Sequence, residues 1–142
     1  MPRGEFLRLL LAVLAVAALS GCGDDGSERS DERRVREVAL GYLRAIDHKD
    51  GPTACGHLMP ALRKRFARAG ETCRDEIVPI QRLGPNQVSN VVRVEVRGAR
   101  AAVVAVVTAK GLGGTANRFD LVRAGRTWKI GRMTERPLPG PG

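Results

Sequence analysis

Apolar residues recur with helical spacing between Asp31 and Lys49. Val38, Ala39, Tyr42, Leu43 and Ile46 fall at +3, +4, +7, +8 and +11 from Val35, which paints one face of a helix. Ser30 is the predicted N-cap, Asp31 and Glu32 suit the positive end of the helix dipole, and Asp50-Gly51-Pro52 stops the helix. A short second helix is predicted over Pro52–Leu58 and carries Cys55. Pro60 opens a third helix, in which Leu62, Phe66 and Ala69 turn inward and Arg63, Lys64 and Arg68 turn outward, until Gly70 ends it. Thr72 to Ile80 reads as a short helix or turn leading to a strand, and the strand count before Gln87 stays open.

From Gln87 the period changes to two. Val92, Val94 and Val96 alternate with Arg93, Glu95 and Arg97, the pattern of a half-buried strand. Gly98-Ala99 forms a turn. Arg100 to Ala109 carries Val and Ala on both faces, as a central strand does. Gly111 to Gly114 is a hairpin loop and not a phosphate-binding loop, because a strand rather than a helix follows it. Thr115 to Arg123 places Phe119 and Leu121 on one face, and Thr127 to Met133 points Trp128 and Ile130 inward. Pro137 to Gly142 reads as a tail that cannot pair in a sheet. Helices followed by an antiparallel meander imply an α+β fold, with N-terminal helices packed on one face of a curved antiparallel sheet.

The first residues carry a different signal. Arg3 and Arg8 precede an unbroken apolar run from Leu9 to Leu19, which is well short of the about 20 residues that span a bilayer. Glu5 is an unusual acid in such a segment. Residues 1–21 are read as a secretory signal peptide, and Leu19-Ser20-Gly21-Cys22 resembles the bacterial lipobox. That resemblance implies cleavage before Cys22, lipid on its thiol and an extracytoplasmic, membrane-anchored protein. The other reading is an ordinary signal peptide with a chance cysteine. Residues 22–30, polar throughout after Cys22, are then a flexible tether, residues 31–133 the domain, and residues 134–142 a disordered tail. About 120 residues after the leader suffice for one domain and no more.

With Cys22 assigned to lipid, Cys55 and Cys73 remain, and an even pair in an exported chain reads as a disulfide. Two free buried thiols are the alternative. Such a bridge would contribute roughly 3 kcal/mol to a small core. Aromatic residues make up only 4% of the chain, so Val, Leu, Ile and Ala must fill most of the interior. Hydrophobic content of 43% with 27% charged residues fits a globular protein, not a disordered one. The net charge of +9 would suggest nucleic acid inside a cell, but export removes that partner. Arg63, Lys64, Arg65 and Arg68 form the densest basic cluster. It is either a solvated helix face or a surface for anionic lipid or wall polymer, where each charge adds on the order of 1 kcal/mol.

The plan resembles the nuclear transport factor 2-like superfamily, and more narrowly small actinobacterial lipoproteins of that group. The residues that carry the likeness are LSGC, the VREVALGYLRAID helix, the Cys55/Cys73 pair around MPALRKRF, and RFDLVRAGRTWKI, together covering residues 31–133 beyond the leader. The resemblance implies a cone-shaped α+β fold with a pocket lined by Tyr42, Val94, Phe119 and Trp128, and it admits a homodimer. It also implies a possible isomerase or dehydratase, for which Tyr42, Asp47, His48, His57 and Asp120 are the polar candidates. Each has a plainer role: a core tyrosine, a helix end for Asp47 and His48, a neighbour of a bridged Cys55 for His57, and an ion pair with an arginine across the sheet for Asp120. No catalytic triad, carboxylate pair or metal-ligand cluster stands out, and no cofactor is implied. The leading expectation is a non-catalytic lipoprotein that binds a small apolar ligand or serves as a protein-interaction module. The enzyme is the alternative.

Overall fold

The computed structural model describes residues 24–66, 87–109 and 113–138. The chain divides after Ser30 into two units, and the sheet lies in the second, Asp31–Gly142. Helix α1 is Asp24–Asp47, α2 is Gly51–Gly56 and α3 is Pro60–Phe66. Four strands follow: β1 Gln87–Arg97, β2 Arg100–Ala109, β3 Gly113–Ala124 and β4 Thr127–Pro137. They pair in sequence order, every neighbour antiparallel, to make one four-stranded meander.

Helix α1 begins seven residues before its expected first residue Asp31, so Ser30 lies inside it and residues 24–30 are helical rather than an extended tether. The stretch holds no proline and one glycine, Gly26. Extending an existing helix costs far less than starting one, so a polar segment of this kind follows the packed turns beyond it. The other end closes as a Schellman motif. Asp50 N–H donates to the Ala45 carbonyl at 2.8 Å and Lys49 N–H to that of Ile46 at 3.0 Å. Lys49 occupies the left-handed position at φ 57°, where glycine is the usual residue. Asp50 then caps α2 by accepting the Thr53 N–H at 3.1 Å. These hydrogen bonds hold its carboxyl below the ordinary carboxylate range.

The apolar stripe of α1 meets the inner face of the sheet. Val35, Ala39, Tyr42 and Ala45 share a core with Leu58, Leu62, Val103, Ala105, Phe119, Leu121, Trp128 and Ile130. Two irregularities set which residues face inward. A register shift between Val91 and Arg93 turns Val91 into the core and leaves Val92 56% exposed, although simple alternation places Val92 inside. A second shift opposite Asp120 and Leu121 inserts Gly131 between Ile130 and Arg132, so that Ile130 and Met133 both reach the core. Strand β4 also runs past its expected end at Met133. Thr134 to Pro137 pair with Thr115 to Arg118, and Leu138 N–H donates to the Gly114 carbonyl at 2.9 Å. Pro137 ends the strand, where its missing donor costs little. The residues after Leu138 lie outside the described ones, as do the leader, Cys22, Ala69, Gly70 and the Thr72–Ile80 segment.

One polar contact fixes the helix on the sheet. Asp31, expected only to suit the positive end of the helix dipole, is 5% exposed. Its carboxylate accepts the Trp128 indole N–H at 3.3 Å and pairs with the Arg123 guanidinium. Arg123 and Trp128 face each other across β3 and β4, and the guanidinium lies 4.9 Å from the indole centroid. Replacing Asp31 with alanine leaves a buried indole donor and a half-exposed guanidinium without their acceptor. Asp31→Ala is expected to lower the unfolding free energy by about 2–3 kcal/mol, and Asp31→Asn by less because it still accepts from Trp128. Urea denaturation of the two variants checks this, and a loss under about 0.5 kcal/mol for Asp31→Ala would place the contact among ordinary surface pairs.

Candidate functional site

The four residues expected to line a pocket come together in the described core. Tyr42, Phe119 and Trp128 are buried in one core, and Val94 packs half-buried against it. The Tyr42 and Phe119 rings meet edge to face with centroids 5.8 Å apart at 67°. Burial pushes the Tyr42 hydroxyl up to about 12, and among the described residues it has no hydrogen-bond partner. Asp31, the one buried acid among the described residues, stands eleven residues earlier on the same helix, roughly 16 Å along its axis. It therefore cannot serve Tyr42 as a proton partner.

The other polar candidates scatter. Asp47 and His48 sit at the end of α1, half-buried and exposed respectively. Asp120 faces the outer side of the sheet and pairs with Arg118 two residues earlier on its own strand, at 2.9 Å. The expected arginine across the sheet, Arg132, stands opposite in register but makes no ion pair with Asp120. Arg63, Lys64 and Arg65 are exposed on α3, and Arg68 lies outside the described residues. Cys55 is buried in the core and Cys73 lies outside the described residues. Among the described residues no group of three or more His, Cys, Asp or Glu side chains could hold a metal, and no helix is long and apolar enough to cross a membrane.

His57 is the polar group that the helices position most closely. It caps α2, and its carbonyl accepts the Ile130 N–H at 2.8 Å while Met59 N–H donates to the Ile130 carbonyl at 2.8 Å. These bonds clip residues 57–59 onto β4. Lys129 Nζ donates to the Gly56 carbonyl beside them. The imidazole presses on α1 at Gly41, where an added Cβ would lie 2.9 Å from both Cε1 and Nε2. A glycine inside a helix costs about 1 kcal/mol relative to alanine, so its presence mid-helix, beside the stripe, is the sequence signal for a close neighbour. Partial burial first, then Lys129 and Arg44, hold the imidazole below its ordinary value of 6.5.

A groove of about 530 Å³ lies on the opposite, outer side of the sheet. Its rim carries Glu95, Arg97, Arg100, Arg118, Asp120 and Arg132. A smaller recess of about 320 Å³ adjoins it at Arg118 and is lined by Val104, Ala116 and Arg136. Neither contains Tyr42, Val94, Phe119 or Trp128. Sequence reasoning did not single out this face, since its arginines are spread over four strands and meet only through the register.

With these elements in place, the architecture can be set against known structures. No protein-family profile matches the chain, and no curated protein matches it in sequence. Solved structures do match. An NTF2-like protein of unknown function from Shewanella baltica superposes with a TM-score of 0.60 at 12% identity, covering 78% of this chain and 96% of that one. A protein of unknown function from Mycobacterium tuberculosis gives 0.62 at 17% identity over 84% and 78%. An NTF2-like protein of unknown function from Silicibacter pomeroyi gives 0.56 at 13% over 78% and 98%. The fold is therefore the NTF2-like α+β fold, in agreement with the expectation from the helix-then-meander order. At these identities the likeness concerns the fold alone.

Two outcomes test the His57–Gly41 contact. Gly41→Ala is expected to destabilise the protein despite its better helix propensity, whereas in a His57→Ala background the same change should stabilise by about 1 kcal/mol. The same sign in both backgrounds, in a thermal-melt cycle, would refute the contact. The second outcome concerns pH. Below 6.5 the unfolded chain takes up a proton that folded His57 resists, so stability is full above that value and falls as pH drops toward the folded midpoint. The His57 ring signals in a proton NMR titration should show a midpoint below 6.5, and His57→Gln should flatten the acid side of the melting profile.

Proposed function

We propose that the chain is an exported, lipid-anchored and non-catalytic module that works through its surface. The observation that carries the reading is how the described core residues are engaged. Tyr42, Phe119 and Trp128 are buried in one core with the Tyr42 and Phe119 rings edge to face, and the Asp31 carboxylate is engaged by Arg123 and Trp128. An isomerase or dehydratase needs an uncommitted acid or base beside its substrate. The described interior offers Tyr42 without a polar partner, and its hydroxyl is pushed away from the neutral range. Anchoring rests on the sequence: the Arg3 and Arg8 flank, the Leu9–Leu19 run and the lipobox-like LSGC ending at Cys22. A Cys55–Cys73 bridge joins this reading because Cys55 is buried and its sulfur is not a free thiol. In that arrangement the bridge ties the helical layer to the segment that leads into β1, and the lipid on Cys22 holds the domain at a membrane.

Intact mass spectrometry of the protein purified from its native host tests the anchor and the bridge together. The expected mass corresponds to a chain cut before Cys22 and carrying acyl groups, with a gain of two hydrogens on reduction. A chain that retains residues 1–21, or one whose mass does not change on reduction, would overturn the respective half of the proposal. Activity would return to consideration in the second case, because a free Cys55 beside His57 is a possible nucleophile–base pair.

A further inference from the structure

The geometry points to the outer-face groove as a binding site for a phosphate ester with a small hydroxyl-bearing body. The register builds it. Arg97 and Arg100 stand directly opposite each other at the β1–β2 hairpin, and Arg132 enters from β4 in the next row, beyond Ala102 and Asp120. Two of the face's cations are neutralised locally, Arg93 by Glu95 and Arg118 by Asp120. Arg97, Arg100 and Arg132 have no ion-pair partner among the described residues, yet all three line the same groove. Like charges placed opposite each other in a sheet are unfavourable. An anion held between Arg97 and Arg100 removes that repulsion.

The groove's dimensions and chemistry narrow the ligand. Its volume of about 530 Å³ falls in the range of small-molecule sites. The small residue Ala102 and the backbone around Gly131 keep the floor open between the arginines, and Val122 gives it an apolar wall. Guanidinium groups bind carboxylate and phosphate through paired N–H donors. Here the guanidinium groups line the groove from two sides, β1–β2 and β4. A tetrahedral phosphate offers oxygens in several directions, whereas a planar carboxylate offers two in one plane. Glu95 and Asp120 on the same rim are already paired with Arg93 and Arg118 but keep lone pairs that accept hydrogen bonds from hydroxyls, and only Arg97, Arg100 and Arg132 are left to meet an anion, so one phosphate on a polyol body fits better than a polyanion. Lipid headgroups and free sugar or glycerol phosphates both have this chemistry. The site uses sheet residues alone, so it stands or falls independently of the anchor at Cys22.

Calorimetric titration of the full chain in a non-ionic detergent tests the assignment, with glycerol phosphate and monomeric dihexanoylphosphatidylglycerol as probes and acetate as the carboxylate control. One probe molecule is expected to bind per chain. Arg100→Gln and Arg132→Gln should each weaken binding about tenfold, and Arg100→Lys should weaken it as well because it keeps charge but loses the paired donors. Arg63→Gln on α3 should leave it unchanged. Tighter binding of the lipid than of glycerol phosphate would identify a headgroup as the source, and equal binding a free ester. Acetate binding as tightly as phosphate, equal loss in the Arg63 variant, or heats indifferent to Arg100 and Arg132 would overturn the site.

Discussion

The buried Asp31 carboxylate is the constraint from which the rest of the arrangement follows. Apolar contact between a helix stripe and a sheet is non-directional, and by itself it lets the helix slide by a turn without large cost. Hydrogen bonds to a buried acid do not allow that freedom. Once Asp31 sits against Trp128 and Arg123, the positions of all later stripe residues are set by the rise of the helix. Tyr42 arrives three turns on, edge against Phe119. Gly41 arrives under His57, and its missing Cβ leaves room for the imidazole, so that residues 57–59 reach β4. The exposed edge of the sheet is thereby covered where Leu58 bridges Ile130.

The sequence shows regular structure clearly, and the exceptions have physical causes. Period 3.6 marks the packed part of α1, and period 2 with its glycine turns marks all four strands. Period 2 fails where one residue is inserted. At Val92 the alternation looks unbroken, yet the bulge exchanges the inner place to Val91. Polarity misleads at both ends of the domain. Residues 24–30 look like a tether and are helix, and Thr134 to Arg136 look like the start of a tail and extend β4. In each case an adjoining element offers hydrogen bonds that composition does not reveal. Asp31 is the deeper miss. Nothing in its neighbourhood distinguishes it from Glu32, because its partners stand 92 and 97 residues away.

The residues of the candidate pocket were legible as a set. Alternation and helical phase correctly turn Tyr42, Val94, Phe119 and Trp128 toward one another. Whether inward residues enclose a void or fill it depends on side-chain volumes and on how closely helix and sheet approach, and neither is a property of the pattern. The basic surface shows the reverse problem. The run Arg63-Lys64-Arg65 is conspicuous because it is contiguous, whereas Arg97, Arg100 and Arg132 become neighbours only after the strands pair.

The two faces of the sheet are under different demands. The chain has one tryptophan and one tyrosine, and both lie in the core with Phe119. A domain so poor in aromatics cannot empty its interior for a ligand without losing much of the large apolar surface that holds it together, since each such side chain is worth on the order of 2–3 kcal/mol when buried. The outer face carries no such burden. Its positions on β2 are small, Ala102, Val104 and Val106, and the larger side chains around them are charged and solvated. Substitutions there cost little stability, so this face can accumulate specific chemistry while the inner face remains fixed. Three arginines without an ion-pair partner among the described residues, lining one groove over a floor of small residues, are what such a division of labour would leave, and the proposed recognition then falls on the side of the sheet that folding does not need.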